Sequence, residues 1–85
     1  MNAERICGDL VEFVRNELML DSSQPIDTQA NVFASGLIDS MGAMRMIAFI
    51  EDHFDLRIPP VDLVPSNFRT LQVTSEYLAG LMNGR

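Results

Sequence analysis

Apolar side chains at Ile6, Leu10, Phe13 with Val14, and Leu18 recur at helical spacing, while Glu4, Asp9, Glu12 and Asn16 fall on the other side. The pattern predicts an amphipathic helix from about Ala3 to Leu20, with Asn2 as its N-cap. The turn formers Asp21-Ser22-Ser23-Gln24-Pro25 end it. From there to Asp39 no period is sustained, which makes a long connection for a small chain, with Ile26, Val32, Phe33 and Leu37 available to anchor it. A second helix is predicted over Met41 to Phe54, where Met41, Met44, Ile47, Ile50 and Phe54 form one stripe and Met46 and Phe49 widen it. So broad an arc suggests a helix that faces both the core and something else. Pro59 and Pro60 forbid its continuation, and between Pro60 and Pro65 there is room for one short helical turn.

Thr70 caps a last predicted helix with Leu71, Thr74, Leu78 and Leu81 on one face, Tyr77 and Met82 beside them, and Gly84 as terminator. No segment alternates as a strand does. The expected fold is therefore all-α: a four-helix bundle of three longer helices and one short helix, with a long loop between the first and second.

Composition narrows the functional classes. The 85 residues suffice for a single domain, 1–85, that folds alone, and an apolar share of 47% can fill its core. Twelve acidic side chains against six arginines and no lysine give a net charge of −6, which excludes nucleic acid and anionic membrane surfaces as natural partners. A basic protein surface is the electrostatic complement. The single cysteine, Cys7, cannot form an intrachain disulfide. The longest apolar run, Met46 to Ile50, is too short to span a bilayer, and the start of the chain lacks the order of a signal peptide. A cytoplasmic monomer is expected.

Catalytic machinery is hard to assemble from these residues. The one histidine, His53, lies more than three helical turns beyond Ser40 on a continuous helix, too far to activate it. Glu51, Asp52 and Asp55 crowd a helix end, which fits a solvated face or a partner's cations, and Asp52, Asp55 and Asp62 do not follow an EF-hand's spacing. At the junction of the long loop and the broad-striped helix stands Gly36-Leu37-Ile38-Asp39-Ser40-Met41. Its plainest reading is a helix cap, since Asp and Ser both cap well. Neither Gly42 nor Ala43 completes a capping box, however, and Gly42 costs the first turn about 1 kcal/mol of helix propensity relative to Ala.

That motif resembles the phosphopantetheine attachment site of the acyl carrier protein family, including its peptidyl and aminoacyl carriers. The likeness extends through Ile50-Glu51-Asp52-His53-Phe54, Ile58-Pro59-Pro60 and Asn67-Phe68-Arg69-Thr70-Leu71, nearly the whole chain. The resemblance implies that Ser40 accepts 4′-phosphopantetheine from coenzyme A through a phosphopantetheinyl transferase. Asp39 would help that enzyme hold Mg²⁺, and the arm's thiol would carry acyl or aminoacyl groups as thioesters. It implies as further partners the acyl- or aminoacyl-activating and acyl-transferring enzymes. They would dock on the second helix through Met41, Met44 and Ala48, with Glu51 and Asp52 as acidic contacts. On this reading the chain is a carrier and not an enzyme. The competing class is an unmodified helical interaction domain in which Ser40 is only a cap.

Two departures from the family pattern stand out. Gly42 and Arg45 occupy positions where fatty-acid carriers typically have acids, so Arg45 repels a basic partner. Met41 replaces the usual leucine, and the stretch through Gly42 resembles D-alanyl carriers and free-standing carriers of specialised pathways. A dedicated partner set is expected in place of housekeeping fatty-acid synthesis. Phe33, Ile47, Phe49, Ile50, Phe54, Leu63 and Phe68 are the residues expected to line or fill an interior cleft, with room for a short cargo.

Overall fold

The computed structural model describes residues 2–18 and 23–84. Helix α1 spans Ala3–Phe13, α2 Ser40–His53 and α3 Leu71–Met82. Each begins at a side-chain cap: Asn2 accepts from the Arg5 amide, Asp39 from Gly42 and Thr70 from Val73. Each such cap satisfies one of the amides that a helix start leaves unpaired. The α1 pattern ends in a wider turn: Val14–Leu18 is π-helical, and the remainder of the predicted helix, with residues 19–22, lies outside the described residues.

The predicted short helix is resolved into two 3₁₀ turns, Pro60–Asp62 and Pro65–Asn67. The reason is the spacing of the prolines. Four residues separate them; the Pro65 nitrogen has no hydrogen to give the Val61 carbonyl its i to i+4 bond, and its ring holds Val64 extended at φ −120° and ψ 149°, so one turn stops before Pro65 and a second starts there. The fourth element of the bundle is thus a double turn that leaves Val61, Leu63 and Val64 exposed.

Helices α1 and α3 form the close-packed pair. Ile6, Leu10 and Val14 share one buried core with Leu71, Tyr77 and Leu78, and Met46 and Ile50 of α2 and Cys7 belong to the same core. Fully burying side chains of this size stabilises the fold by roughly 1.5–3 kcal/mol each. Helix α2 also leans on α1 through a ring stack: Phe13 and Phe49 lie with centroids 4.4 Å apart, and the His53 imidazole continues the stack at 4.8 Å. His53 Nε2 sits 3.2 Å from Asp9 Oδ2 on the same seam. Among the described residues no helix is long and apolar enough to cross a membrane.

In the long connection, Val32 is buried and Ile26 and Leu37 pack against the core as anchors. Phe33 is 41% exposed and anchors nothing; Ile38, at 2%, takes the place it was expected to hold. The Ile38 amide donates to the Val32 carbonyl at 3.0 Å, folding the loop back so that these two side chains enter the core together.

Candidate functional site

The loop that delivers Ser40 is held by the start of α3. The Val32 amide donates to the Arg69 carbonyl at 2.8 Å, and the Gln72 amide donates to the Thr28 carbonyl at 2.9 Å. Backbone bonds across a loop fix its course without demanding particular side chains. The chain then turns at Gly36, whose φ of +78° lies in the left-handed region where a Cβ is disfavoured.

Asp39 and Ser40 divide the tasks that the sequence left between them. Asp39, extended at φ −96° and ψ −175°, is the N-cap, and its Oδ1 accepts the Gly42 amide at 2.7 Å. Ser40 is the first helical residue, with an exposed side chain and no hydrogen-bond partner among the described residues. Its hydroxyl therefore does no capping. It stands at the positive end of the α2 dipole beside amides without intrahelical partners, a setting that favours an attached phosphate.

Gly42 has a packing role that helix propensity does not reveal. A Cβ placed there would come 3.1 Å from Asp39 Oδ1, 3.3 Å from Ile38 Cγ2 and 3.6 Å from Leu18 Cδ1. The missing side chain lets the capping carboxylate and the end of the α1 segment close against the first turn. Finding this from sequence would require knowing that Leu18 and Ile38 converge there.

The other residues predicted on α2 fall into two groups. Met41 and Met44 are 74% and 73% exposed, and Ala48, Asp52 and Arg45 are exposed as well, so this face is available for contact. Met46 is in the core. Glu51 is half-buried, and its Oε2 accepts the Ile58 amide at 3.0 Å, so one carboxylate oxygen tethers the segment after α2. Arg45 approaches Glu17 at 3.6 Å with both side chains about half exposed, a pairing of little energetic consequence. Among the described residues no group of three or more His, Cys, Asp or Glu could hold a metal ion.

Beside this face lies an open apolar groove of about 520 Å³ between α2, the loop and the 3₁₀ turns. Of the residues predicted to line a cleft, Phe33, Ile47, Leu63 and Phe68 border it, whereas Phe49 and Phe54 pack elsewhere and Ile50 is core. Asn31 and Arg69 also border it, and neither is among the residues expected there. The clue available was Asn31-Val32-Phe33, a turn-forming side chain followed by two apolar residues. Asn31 Oδ1 accepts the Phe33 and Ala34 amides at 3.0 and 2.9 Å.

Fold and site together define a small helical domain that presents a serine hydroxyl at the start of a helix. Residues 9–78 match the phosphopantetheine attachment site family, and the chain belongs to that family of carrier domains. Its group is 4′-phosphopantetheine. The chain is 28% identical over 78 residues to the D-alanyl carrier protein of Streptococcus sanguinis (strain SK36), covering 92% of this chain and 96% of that protein. The D-alanyl carrier protein of Streptococcus gordonii is 28% identical over 76 residues, covering 89% and 94%. The solved structure of apo KstB-PCP shares the fold, with a TM-score of 0.75 at 23% identity over 95% of this chain and 90% of that one.

Proposed function

We propose that Ser40 is the attachment residue and that this chain is a carrier which shuttles thioester-bound acyl or aminoacyl groups between partner enzymes. The observation that carries this reading is the division of labour at the start of α2: Asp39 caps the helix, leaving the Ser40 hydroxyl exposed and unbonded. An interaction domain that used Ser40 as its cap would show the reverse. When bound, 4′-phosphopantetheine supplies a thiol that holds its cargo as a thioester. Within this chain, Ser40 Oγ provides the oxygen of the phosphodiester and the first-turn amides offset its negative charge. Asp39 holds the helix start in register and, as an exposed carboxylate, is placed to assist the transferase's Mg²⁺. The chain contributes no general base; the transferase removes the serine's proton.

Docking belongs to the exposed face of α2, where Met41, Met44 and Ala48 give adaptable apolar contact and Asp52 a charge for basic partners. Arg45 on that face supports a dedicated partner set in a specialised pathway over housekeeping fatty-acid synthesis. The D-alanyl carriers among its relatives support an aminoacyl cargo as the second reading. We read the protein as a cytoplasmic monomer without catalytic activity of its own. The test is intact mass before and after incubation with coenzyme A, Mg²⁺ and a broad-specificity phosphopantetheinyl transferase. Wild type gains one phosphopantetheine and Ser40→Ala gains none; an unchanged wild-type mass with several transferases returns the chain to the interaction-domain class.

A further inference from the structure

The apolar groove beside α2 differs in charge from the rest of the molecule. In a chain with twelve acidic residues, none of the described residues that border the groove is acidic. Its walls include Phe33, Ile47, Leu63 and Val64, and its polar neighbours are Asn31 and Arg69. Both of these offer donors without acceptors. The Asn31 carbonyl oxygen is occupied by the Phe33 and Ala34 amides, which fixes the side-chain amide and leaves its NH₂ without a partner among the described residues. Arg69 is exposed, and its guanidinium has neither a hydrogen bond nor an ion pair among them. The two are neighbours in space because the Val32 amide, one residue on from Asn31, bonds to the Arg69 carbonyl.

We propose that this groove receives the chain's own cargo and selects acyl groups that end in a carboxylate, with the aliphatic part on the apolar walls and the anion met by Arg69 and the Asn31 amide. The proposal rests on Ser40 as the attachment residue. Ser40, Ala43 and Ile47 lie at helical spacing on one face of α2, so the groove lies along the side of the helix from which the arm departs. Charge decides the class. A carboxylate finds two donor groups and no competing acid, whereas the ammonium of an aminoacyl cargo such as D-alanyl meets a cation and no counter-charge. An uncharged chain of the same length gains the walls alone.

Three six-carbon groups of matched length separate these cases: adipyl, hexanoyl and 6-aminohexanoyl, each joined to coenzyme A through an amide in place of the thioester so that none is lost to hydrolysis. The transferase loads each arm onto the protein, intact mass verifies the loading, and backbone amide NMR reads the groove at Asn31, Phe33, Ile47 and Arg69. The adipyl arm is expected to shift these resonances about threefold more than hexanoyl, the scale of an exposed charge pair, with 6-aminohexanoyl weakest. Arg69→Gln should reduce adipyl to the hexanoyl level. Asn31→Asp, which keeps the turn's acceptor but replaces the donors with a negative charge, should reduce it further. Equal shifts for the three arms, or an adipyl response that survives Arg69→Gln, overturn the proposal while leaving Ser40 intact. If the unloaded arm alone already produces the Arg69-dependent shift, its phosphate is the anion and the cargo reading fails. No mass gain with any arm removes the Ser40 reading and the proposal together.

Discussion

The Tyr77 hydroxyl of α3 donates to Asp62 Oδ2 across 2.6 Å, joining the last helix to the 3₁₀ turn that precedes the groove-forming Leu63 and Val64. The phenol ring is buried and packs edge-on against Phe68 at 6.1 Å, so the bond forms where water competes poorly. Tyr77→Phe keeps the ring and removes the donor. A loss of about 1–2 kcal/mol is expected by denaturant unfolding, together with faster amide exchange at Leu63 and Val64. Unchanged exchange there would mean that the prolines alone hold the turn.

The separate roles of Asp39 and Ser40 predict opposite sensitivities. Asp39→Ala should cost about 1 kcal/mol, because the Gly42 amide loses its cap. Ser40→Ala should stay within about 0.5 kcal/mol of wild type, since the hydroxyl bonds to nothing among the described residues. Chemical denaturation of the two unmodified variants checks both, and a large loss in Ser40→Ala would restore the capping role.

Asp55 closes α2 in the left-handed region, at φ +52°, and the Leu56 amide returns to the Glu51 carbonyl at 3.1 Å, the bond of a Schellman turn. A residue with a Cβ pays for this conformation, and the Asp55 carboxylate also faces the negative end of the helix dipole. Asp55→Gly is expected to stabilise the protein by about 0.5–1 kcal/mol. A lower melting temperature in the variant would show that the Asp55 side chain contributes more than its backbone costs.

Met41 and Met44 are exposed yet lie on the face next to Ser40, so truncation separates docking from folding. Met41→Ala and Met44→Ala should each alter stability by less than about 0.5 kcal/mol. Steady-state kinetics with the transferase should show KM raised several-fold with kcat little changed. Unaltered kinetics for the double variant would place docking elsewhere.

Much of the fold was legible because its signals are local. Asn2, Asp39 and Thr70 mark helix starts within a residue or two, and the apolar periods of α1, α2 and α3 give their buried faces. The candidate Ser40 stands out in the sequence because it belongs to a contiguous motif. What stayed hidden depends on groups far apart in the chain: the closeness of Leu18 and Ile38 to Gly42, the Glu51 bond to Ile58, and the meeting of Asn31 with Arg69 through the Val32 amide. Ile38, for which no core position was expected, took the anchoring place expected of Phe33 for a similar reason. Hydrophobicity ranks them alike, and the direction of each side chain follows from the loop's fold-back bond.

Cys7 lies within the core with 8% of its surface accessible. A carrier whose working group ends in a thiol thereby keeps its own thiol out of reach, so cargo cannot migrate from the arm to Cys7 and the arm cannot lock onto Cys7 as a disulfide while the fold is intact. Titrated with an aromatic disulfide reagent, the loaded, cargo-free protein should release colour for one rapid equivalent, and a second should appear once denaturant opens α1. The burial of one side chain makes the carrier's chemical inventory single-valued.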